Sequence, residues 1–408
     1  MAVKTKRKKT TAAELPDEIL RHEILTRLPI KSAVRFKSVC KLWLFLISQP
    51  QFVFQHLTYN STENPNAHDL LIADKGTKLV ILSRYKETKL LPFDNLSFLV
   101  GSINGLVCLY RGTNLSLWNP AIHQSKEFRL PPGHFGVPGT SLGLAFDWVG
   151  NDFKVVALCA DLRSASVYCS GLDDWSQVFF EEDLFPKTDF EDCTPPFIVK
   201  GCPYWTRSRY VYETKALVPG QEYTDLVEVF LSVVKFDPRN YEFTLSPEYH
   251  WDKDDIGIEF CHQFVDLKDR VTLIVHDQRA ECCIVQMFTM DGEEGCSVWT
   301  KKCIVMLDFE TRGMYVSLSQ GFKFDGELVY HDNGMFACIV SETEENKRIR
   351  GTTSTEYQVT CYRYAPTLFF ILGMKSVHLR TQTRTPHCHR TPRRLISSLR
   401  ASSLSCDH

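Results

Sequence analysis

The residues with the most versatile chemistry in this chain are its 13 histidines and 15 cysteines. His22 and Glu23 begin the segment "HEILT", which starts like the metal-binding helix of a zinc protease, but Thr26 stands where a second histidine is required. That class of site needs two imidazoles four residues apart on one helix face, so the segment predicts no such site. Phosphate loops, dinucleotide fingerprints and nucleophile elbows are also missing from the sequence.

Metal-binding residue types also gather near the end of the sequence. The segment "HCH" (residues 387–389), with Cys406 and His408, offers imidazoles and thiolates that suit zinc. The paired spacing of structural zinc sites is missing and no ordered scaffold is predicted around these residues, so adventitious binding is the favoured interpretation. We expect no metal site here.

The remaining candidates for chemistry are interpreted as structural. Cys282 and Cys283 fall in an apolar strand pattern, where cysteine usually acts as a small buried hydrophobe. His262 and His276 are expected in the core or in loops. The sequence therefore predicts no catalytic residue and no cofactor, and we interpret the chain as non-enzymatic.

Composition excludes several classes of partner. The chain has 408 residues, 44% of them hydrophobic and 24% charged, and a net charge of -2, so we expect neither nucleic acid nor an anionic membrane as partner. The longest apolar run, "TLFFILGM" (residues 367–374), is too short to cross a bilayer. No signal peptide precedes the scattered cysteines, so we expect reduced thiols and a location in the cytoplasm, the nucleus or both. The basic segment "KTKRKK" (residues 4–9) is interpreted as part of a solvated arm, with nuclear import as the alternative.

Residues 15–57 have helical spacing. Pro16 suits the first turn of a helix, and Pro29 is predicted to end that helix. Its apolar stripe consists of Ile19, Leu20, Ile24, Leu25 and Leu28. A second helix is predicted from Ser32 as N-cap to Ile47, before Pro50, and a short third helix over residues 51–57. Phe36, Val39, Cys40, Trp43, Leu46 and Ile47 form the apolar positions of the second helix.

After a polar linker the hydrophobic period changes from 3.6 to 2, which predicts a mainly β fold, arranged as a sandwich, a barrel or a propeller. Weak internal repetition favours the antiparallel propeller. "LSLWNPAIHQSKEFRLPP" (residues 115–132) and "SVVKFDPRNYEFTLSP" (residues 232–247) both suggest two strands joined by an X-Pro turn. Trp118 and Phe236, two residues before the turn prolines, are expected to pack between neighbouring sheets, and a β-sandwich remains the alternative.

The helical segment resembles the F-box. The motifs that carry the resemblance are Leu15-Pro16, Ile19-Leu20, "ILTRLP" (residues 24–29) and "RFKSVCKLW" (residues 35–43). The resemblance implies a three-helix module that docks on the Skp adaptor of cullin-RING ubiquitin ligases. Leu44 and Phe45 depart from the family pattern, which has polar residues there, and either deepen the core or enlarge the contact. The residues placed at or beneath the adaptor contact are Leu15, Pro16, Ile19, Leu20, Leu28, Pro29, Val39 and Trp43.

The β region resembles the plant F-box-associated domain, a kelch-like β-repeat region. The resemblance rests on "GSINGLVCL" (residues 101–109), "LWNPA" (residues 117–121), "GLAFDWVGNDFKVV" (residues 143–156), "VYCSGLDDW" (residues 167–175), "GCPYW" (residues 201–205) and "FDPRNYEF" (residues 236–243). The predicted organisation is a basic disordered arm (1–13), an F-box module (14–58), a linker with a first β segment (59–94), a β-propeller-like domain (95–365) and a disordered basic tail (366–408).

Together these features predict the substrate-recognition subunit of a Skp-cullin-F-box ubiquitin ligase. In this hypothesis the F-box binds the adaptor, the β domain binds an unidentified client protein, and the partner complex supplies the catalysis. One alternative is an F-box scaffold protein that does not direct degradation. A less favoured alternative is a propeller-type enzyme in which the front helices only cap a sheet.

Overall fold

A computed structural model of the chain describes residue 19 and residues 23–62, 69–74, 78–83, 86–91, 98–134, 140–159, 163–180, 196–218, 221–252, 259–267, 269–278, 283–292, 297–307, 317–323, 327–332, 335–340, 346–349 and 359–377. The chain divides into one unit from Met1 to Val377 and a second from His378 to His408. The second unit, with the predicted tail and the "HCH" segment, lies outside the described residues.

The described N-terminal part is helical. A 3-10 turn at Leu25–Arg27 is followed by helices α1 (Ile30–Phe36), α2 (Lys41–Ser48) and α3 (Pro50–Thr62). Leu28 is extended, so the first helical segment ends before Pro29, as predicted. Pro50 occupies the first position of α3, where its missing N–H costs no hydrogen bond.

The single second helix predicted from Ser32 is wrong in two respects. The N-cap of α1 is Pro29, and the helix ends after Phe36. Cys40 then takes an extended conformation and its thiol accepts a hydrogen bond from the Trp43 N–H at 3.5 Å, which starts α2 as a separate helix. The third helix is longer than predicted and ends at Thr62.

The strands of the first three sheets are short and regular. They are β1 (Asp69–Asp74), β2 (Lys78–Ser83), β3 (Lys86–Leu91), β4 (Phe98–Ile103), β5 (Leu106–Arg111), β6 (Asn114–Asn119), β7 (Gln124–Arg129), β8 (Thr140–Asp147), β9 (Asp152–Cys159), β10 (Ser164–Cys169) and β11 (Asp174–Phe179).

The remaining strands include two of 17 residues each, β13 and β14. They are β12 (Phe197–Val199), β13 (Cys202–Val218), β14 (Gln221–Asp237), β15 (Glu242–Leu245), β16 (Tyr249–Asp252), β17 (Glu259–Leu267), β18 (Arg270–Gln278), β19 (Cys283–Asp291), β20 (Val298–Leu307), β21 (Ser317–Lys323), β22 (Glu327–Asp332), β23 (Met335–Val340), β24 (Asn346–Ile349), β25 (Val359–Tyr364) and β26 (Lys375–Ser376).

These strands form six antiparallel sheets among the described residues. Sheet 1 has the order β25-β1-β2-β3, sheet 2 β26-β7-β6-β5-β4, sheet 3 β11-β10-β9-β8, sheet 4 β12-β13-β14-β15 with β16 on β14, sheet 5 β17-β18-β19-β20 and sheet 6 β21-β22-β23-β24. Contacts between neighbouring sheets run from β4 to β8, β8 to β13, β12 to β17, β17 to β21, β21 to β25 and β25 back to β4. The predicted β-propeller-like fold is therefore confirmed and the alternative sandwich is not observed.

The ring is closed by pairing the last long strand with the first. β25 pairs with β1 from Tyr364↔Asp69 to Val359↔Asp74. The Tyr362 hydroxyl lies 2.9 Å from the carbonyl oxygens of both Val100 and Pro196, which ties the closing strand to its neighbours.

The two aromatic residues expected between sheets are buried there. Trp118 packs in a cluster with Val107 of sheet 2 and Tyr364 of sheet 1. Phe236 packs in a cluster of residues from sheets 3 and 4 that also contains Val156 and Trp205. Both X-Pro hairpins are observed, as β6–β7 and β14–β15. The aromatic before each turn proline therefore fills an inter-sheet gap, as predicted.

Residues 365–377, expected in the disordered tail, are ordered and are here called the strap. Leu368, Phe369, Ile371 and Met374 are buried, and β26 pairs with β7. The buried Asn119 side chain holds the strap, because its Nδ2 donates to the carbonyl oxygens of Thr367 at 3.1 Å and Phe369 at 2.8 Å. The boundary placed at residue 365 is thus shifted to Val377.

The strap also joins the helical module to the β domain. Its buried side chains share one apolar core with Leu25, Ala33, Ile47 and Phe52 of the helical module and with Leu106, Phe146 and Phe153 of sheets 2 and 3. The Phe369 ring lies 5.8 Å from the Phe146 ring and 5.5 Å from the Phe153 ring. The module therefore has one face packed on the propeller, with the strap between them.

Gly105 permits the close approach of the strap to the β4–β5 turn. It has φ +75°, and a Cβ there would lie 2.6 Å from Thr367 Cγ2 and closer still to the Ala365 carbonyl oxygen. Gly112 has a similar φ of +60° but nothing within 4 Å of the equivalent position. The two glycines thus share a left-handed backbone and differ in what a side chain would meet.

We expect Gly105→Ala to lower the free energy of unfolding by about 2–4 kcal/mol, because backbone strain and a clash with the strap add together. Gly112→Ala, with strain alone, should cost about 1 kcal/mol. Urea denaturation of both variants measures the difference. Equal losses would show that the strap does not constrain Gly105.

His56 links α3 to the chain just before α1. Its Nε2–H donates to the Leu28 carbonyl oxygen at 2.8 Å and its Nδ1 accepts from the Asn60 amide at 3.0 Å, so both ring nitrogens are used by the neutral imidazole. Burial lowers the pKa of His56 below its ordinary 6.5, although the bond to Leu28 opposes that shift. The folded state therefore favours the uncharged ring.

Acid should accordingly destabilise the chain as the pH falls below about 6.5, because the unfolded state takes up the His56 proton first. His56→Gln should reduce the loss of unfolding free energy between pH 7.5 and pH 5.5, as measured by urea titration at each pH. Burial also lowers the pKa of His134 in the β domain, so His134→Gln measures the other contribution. An unchanged pH slope in His56→Gln would contradict the assignment.

Candidate functional site

The helical module exposes large apolar side chains on the surface that does not face the propeller. On α2, Leu46 and Ile47 are buried in the shared core, whereas Leu42 and Phe45, three residues apart and adjacent on the helix surface, are exposed. Val39, which precedes α2, is 60% exposed and Phe45 is 61% exposed. We call Val39, Leu42 and Phe45 the apolar patch. An exposed group of this kind is typical of a protein-binding surface.

The structure places the eight residues predicted at or beneath the adaptor contact in three groups. Ile19, Pro29 and Val39 are exposed. Leu28 and Trp43 are half-buried and pack against the shared core, with the Trp43 ring 4.8 Å from the Phe36 ring. Leu15, Pro16 and Leu20 lie outside the described residues. Trp43 thus contributes to the packing of the module itself.

Sequence reasoning missed several of the exposed apolar residues. Leu42, Ile24 and Val34 fit the helical stripe and give no separate signal in the sequence. Leu44 and Phe45, the noted departure from the F-box pattern, are 48% and 61% exposed. They therefore enlarge the exposed apolar surface and do not deepen the core.

A groove continues this surface towards the propeller. A cavity of about 430 Å³ is lined by Val34 and Leu44 of the module, Phe369 and Phe370 of the strap, and Ile122 of the β6–β7 turn. Lys37 lines the same groove, and burial lowers the pKa of its ammonium. The groove is therefore mostly apolar with a cation at its edge.

The charges around the apolar patch have one sign. From Ile30 to Thr62 the sequence contains four basic residues and no acidic one. Lys31, Arg35 and Lys41 are exposed. Because complementary charge favours association, this arrangement suits a partner that surrounds an apolar contact with carboxylates.

The described β domain offers a second groove. A cavity of about 1030 Å³ lies between sheets 4 and 5, lined among others by Lys200, Lys235 and Met290. At its edge Asp291 accepts from Lys302 Nζ at 2.5 Å and from Arg270 Nη1 at 2.9 Å. These bonds, that from Lys302 foremost, lower the pKa of the Asp291 carboxyl. The groove could hold a peptide but presents no reactive side chain among the residues that line it.

The most concentrated polar cluster in the described β domain is inaccessible. Lys154 Nζ lies 3.2 Å from Asp152 Oδ2 and 3.6 Å from Cys169 Sγ, and its charge faces the Tyr241 ring at 5.1 Å. Lys154 is 5% exposed and Cys169 is 2% exposed. A substrate could not reach these groups, so the cluster joins sheets 3 and 4.

Other features expected of an enzyme or membrane protein were sought in the described part of the chain. Those residues contain no group of three or more histidine, cysteine or acidic side chains that could hold a metal ion. His262 Nε2 lies 3.0 Å from Ser208 Oγ. None of the described helices is long and apolar enough to span a bilayer.

Comparison with known proteins identifies the helical module. The family model described as the F-box domain matches residues 13–55. This range covers the 3-10 turn, α1, α2 and the apolar patch. The match supports the resemblance inferred from the sequence motifs.

Relatives extend the similarity into the β domain. F-box protein At2g40925 of Arabidopsis thaliana is 34% identical over 316 residues, which cover 72% of this chain and 73% of that protein. F-box/kelch-repeat protein At3g23880 of the same plant is 31% identical over 38% of this chain and 47% of that protein. F-box protein At3g08750 is 26% identical over 47% of this chain, which thus spans about half, 53%, of that relative.

The similarity to At2g40925 extends well beyond the helical module, which alone carries the family motif. Together with the three helices and the propeller-like sheets, it leads to one conclusion. The chain belongs to the plant F-box proteins.

Proposed function

We propose that this chain is the substrate-recognition subunit of a Skp-cullin-F-box ubiquitin ligase. In this proposal the F-box module binds a Skp-type adaptor, and the β domain binds a client protein for ubiquitination. The observation that supports it most directly is the apolar patch, since Val39, Leu42 and Phe45 stay exposed although the opposite face of the module is buried on the propeller.

The shared core gives the proposal a physical role for the chain. A client held on the β domain would stand at a fixed geometry from the adaptor, because the strap and module pack into one apolar core. Tethering of this kind raises the effective concentration of client lysines near the activated ubiquitin. The chain itself then needs no catalytic residue.

Two alternatives are separated by simple measurements. A scaffold that binds the adaptor without degrading a partner would leave client half-life unchanged by proteasome inhibition. A propeller-type enzyme whose helices only cap a sheet would not bind the adaptor. The apolar patch favours adaptor binding, because a capping unit has no reason to leave these side chains in water.

Adaptor binding is best tested with Phe45→Glu. Phe45 is exposed, so the change should leave the fold intact, but a buried interface would receive an unpaired carboxylate. We expect adaptor affinity to fall by at least about 30-fold, equivalent to roughly 2 kcal/mol. Titration calorimetry with the co-expressed adaptor measures the loss.

The matched control is Phe179→Glu, because Phe179 is 72% exposed and ends β11 in the β domain. Circular dichroism should show both variants folded. Undiminished binding by Phe45→Glu would remove the apolar patch from the contact. No binding by the unmodified chain would contradict the proposed function.

The basic residues around the patch make a separate prediction. Arg35→Glu combined with Lys41→Glu should slow association with the adaptor by about tenfold at low salt and flatten its salt dependence, because exposed charges act mainly on the association rate. Stopped-flow measurements at two ionic strengths test this. Lys301→Glu, on an exposed position of β20, should have no effect. Equal association rates for the double variant and the unmodified chain would show that these cations lie outside the contact.

A further inference from the structure

The hairpin formed by β13 and β14 is longer than the strands beside it. β12 pairs only with residues 202–204 of β13, and β15 and β16 pair with β14 only within residues 228–237. Beyond these points, residues 211–218 and 221–227 pair only with each other among the described strands. We call these two segments the arm. At about 3.3 Å per residue it is roughly 25 Å long.

The arm lies at the end of β13 that is remote from the helical module. At the near end, the β12–β13 turn contacts sheet 3 through the Gly201 carbonyl oxygen, which accepts from the Phe146 N–H at 2.8 Å. Trp148 donates to the Lys200 carbonyl oxygen and its ring lies 5.9 Å from Phe54 of α3. The arm therefore projects from the opposite face of the propeller and leaves the F-box surface free.

The two edges of the arm are not equivalent. In β14, Val227 is bulged, because Leu226 pairs with Tyr212 and Glu228 pairs with Val211. β13 is regular over the same stretch and pairs residue for residue from Tyr204 to Ala216. A bulge twists a strand and discourages a further strand from joining it. The β13 edge is therefore the one suited to pairing.

The charges of the β13 edge select one antiparallel register with an identical strand. Glu213 and Lys215 lie on the same face, with Oε2 and Nζ 3.6 Å apart. A two-fold axis at Thr214 sets each Glu213 opposite the partner subunit's Lys215. An axis at Glu213 or at Lys215 would oppose like charges, and an axis at Tyr212 would bring Arg209 opposite the partner's Lys215.

We propose that the β13 edge of the arm binds the same edge of a second copy of this chain, so that the two arms form one four-stranded antiparallel sheet. A two-stranded ribbon is only marginally stable in water, and four strands supply the missing pairs. Tyr212, Glu213 and Thr214 are exposed and available to the partner copy. The register complements itself through its own charges, which favours a second copy over an unrelated client segment.

The dimer is weak and reversible, because edge pairing of two short strands buries less surface than a standard protein interface. It joins two propellers on the face opposite their F-box modules, so two ligase complexes could act on one client with increased avidity. The inference goes beyond adaptor docking and does not depend on it.

Sedimentation velocity of the full chain, from about 1 to 100 µM to cover the range expected for a small interface, tests the proposal. We expect a concentration-dependent dimer. Glu213→Lys and Lys215→Glu each replace two opposite-charge pairs by like-charge pairs and should weaken dimerisation about tenfold or more. The double variant Glu213→Lys/Lys215→Glu reverses both charges and should restore it.

Each contrary result has a clear meaning. A chain that stays monomeric, single variants that dimerise normally, or a double variant that does not recover would each overturn the proposal. A monomeric chain whose arm amides become protected from hydrogen exchange only with a client would assign the edge to that client and exclude the second copy. Adaptor binding should be unchanged in all three variants, which separates failure of this proposal from failure of the proposed function.

Discussion

The structure depends on one apolar core that three parts of the chain build together. The helical module supplies Leu25 and Phe52, sheets 2 and 3 supply Leu106 and Phe146, and the strap supplies Phe369. A helical module of about 40 residues buries too little surface to be secure alone, so its stability derives in part from the propeller. The Asn119 amide, fully buried, fixes the strap that completes this core.

This core also decides which surface of the module remains for a partner. α2 has only a few turns, and the burial of Leu46 and Ile47 on the propeller forces Leu42 and Phe45 towards solvent. The docking surface is thus a consequence of how the module attaches. A partner on the apolar patch and a client on the β domain would be connected through packed side chains and not through a flexible linker, which favours a fixed distance between them.

Local signals in the sequence were enough for much of this architecture. The Asn-Pro and Asp-Pro hairpins, with Trp118 and Phe236 ahead of them, predicted propeller sheets because turn chemistry and aromatic packing act within a few residues. The break before α2 was missed because the Cys40 thiol acts as an N-cap, a role that cysteine rarely signals. The strap was missed because its partner, Asn119, lies 248 residues away from Thr367.

The outer strands of the sheets explain why the arm differs from the rest of the β domain. A closed ring removes the inner edges, and the outer strands carry charges that discourage further pairing, such as Lys126 and Arg129 on β7 and Lys301 and Lys302 on β20. The arm passes beyond this protected ring. There the β13 edge carries one charge of each sign, spaced two residues apart, so it repels an identical strand in several registers and attracts it in the one centred on Thr214. Charge therefore sets the register of this edge, whereas on the outer strands it prevents pairing.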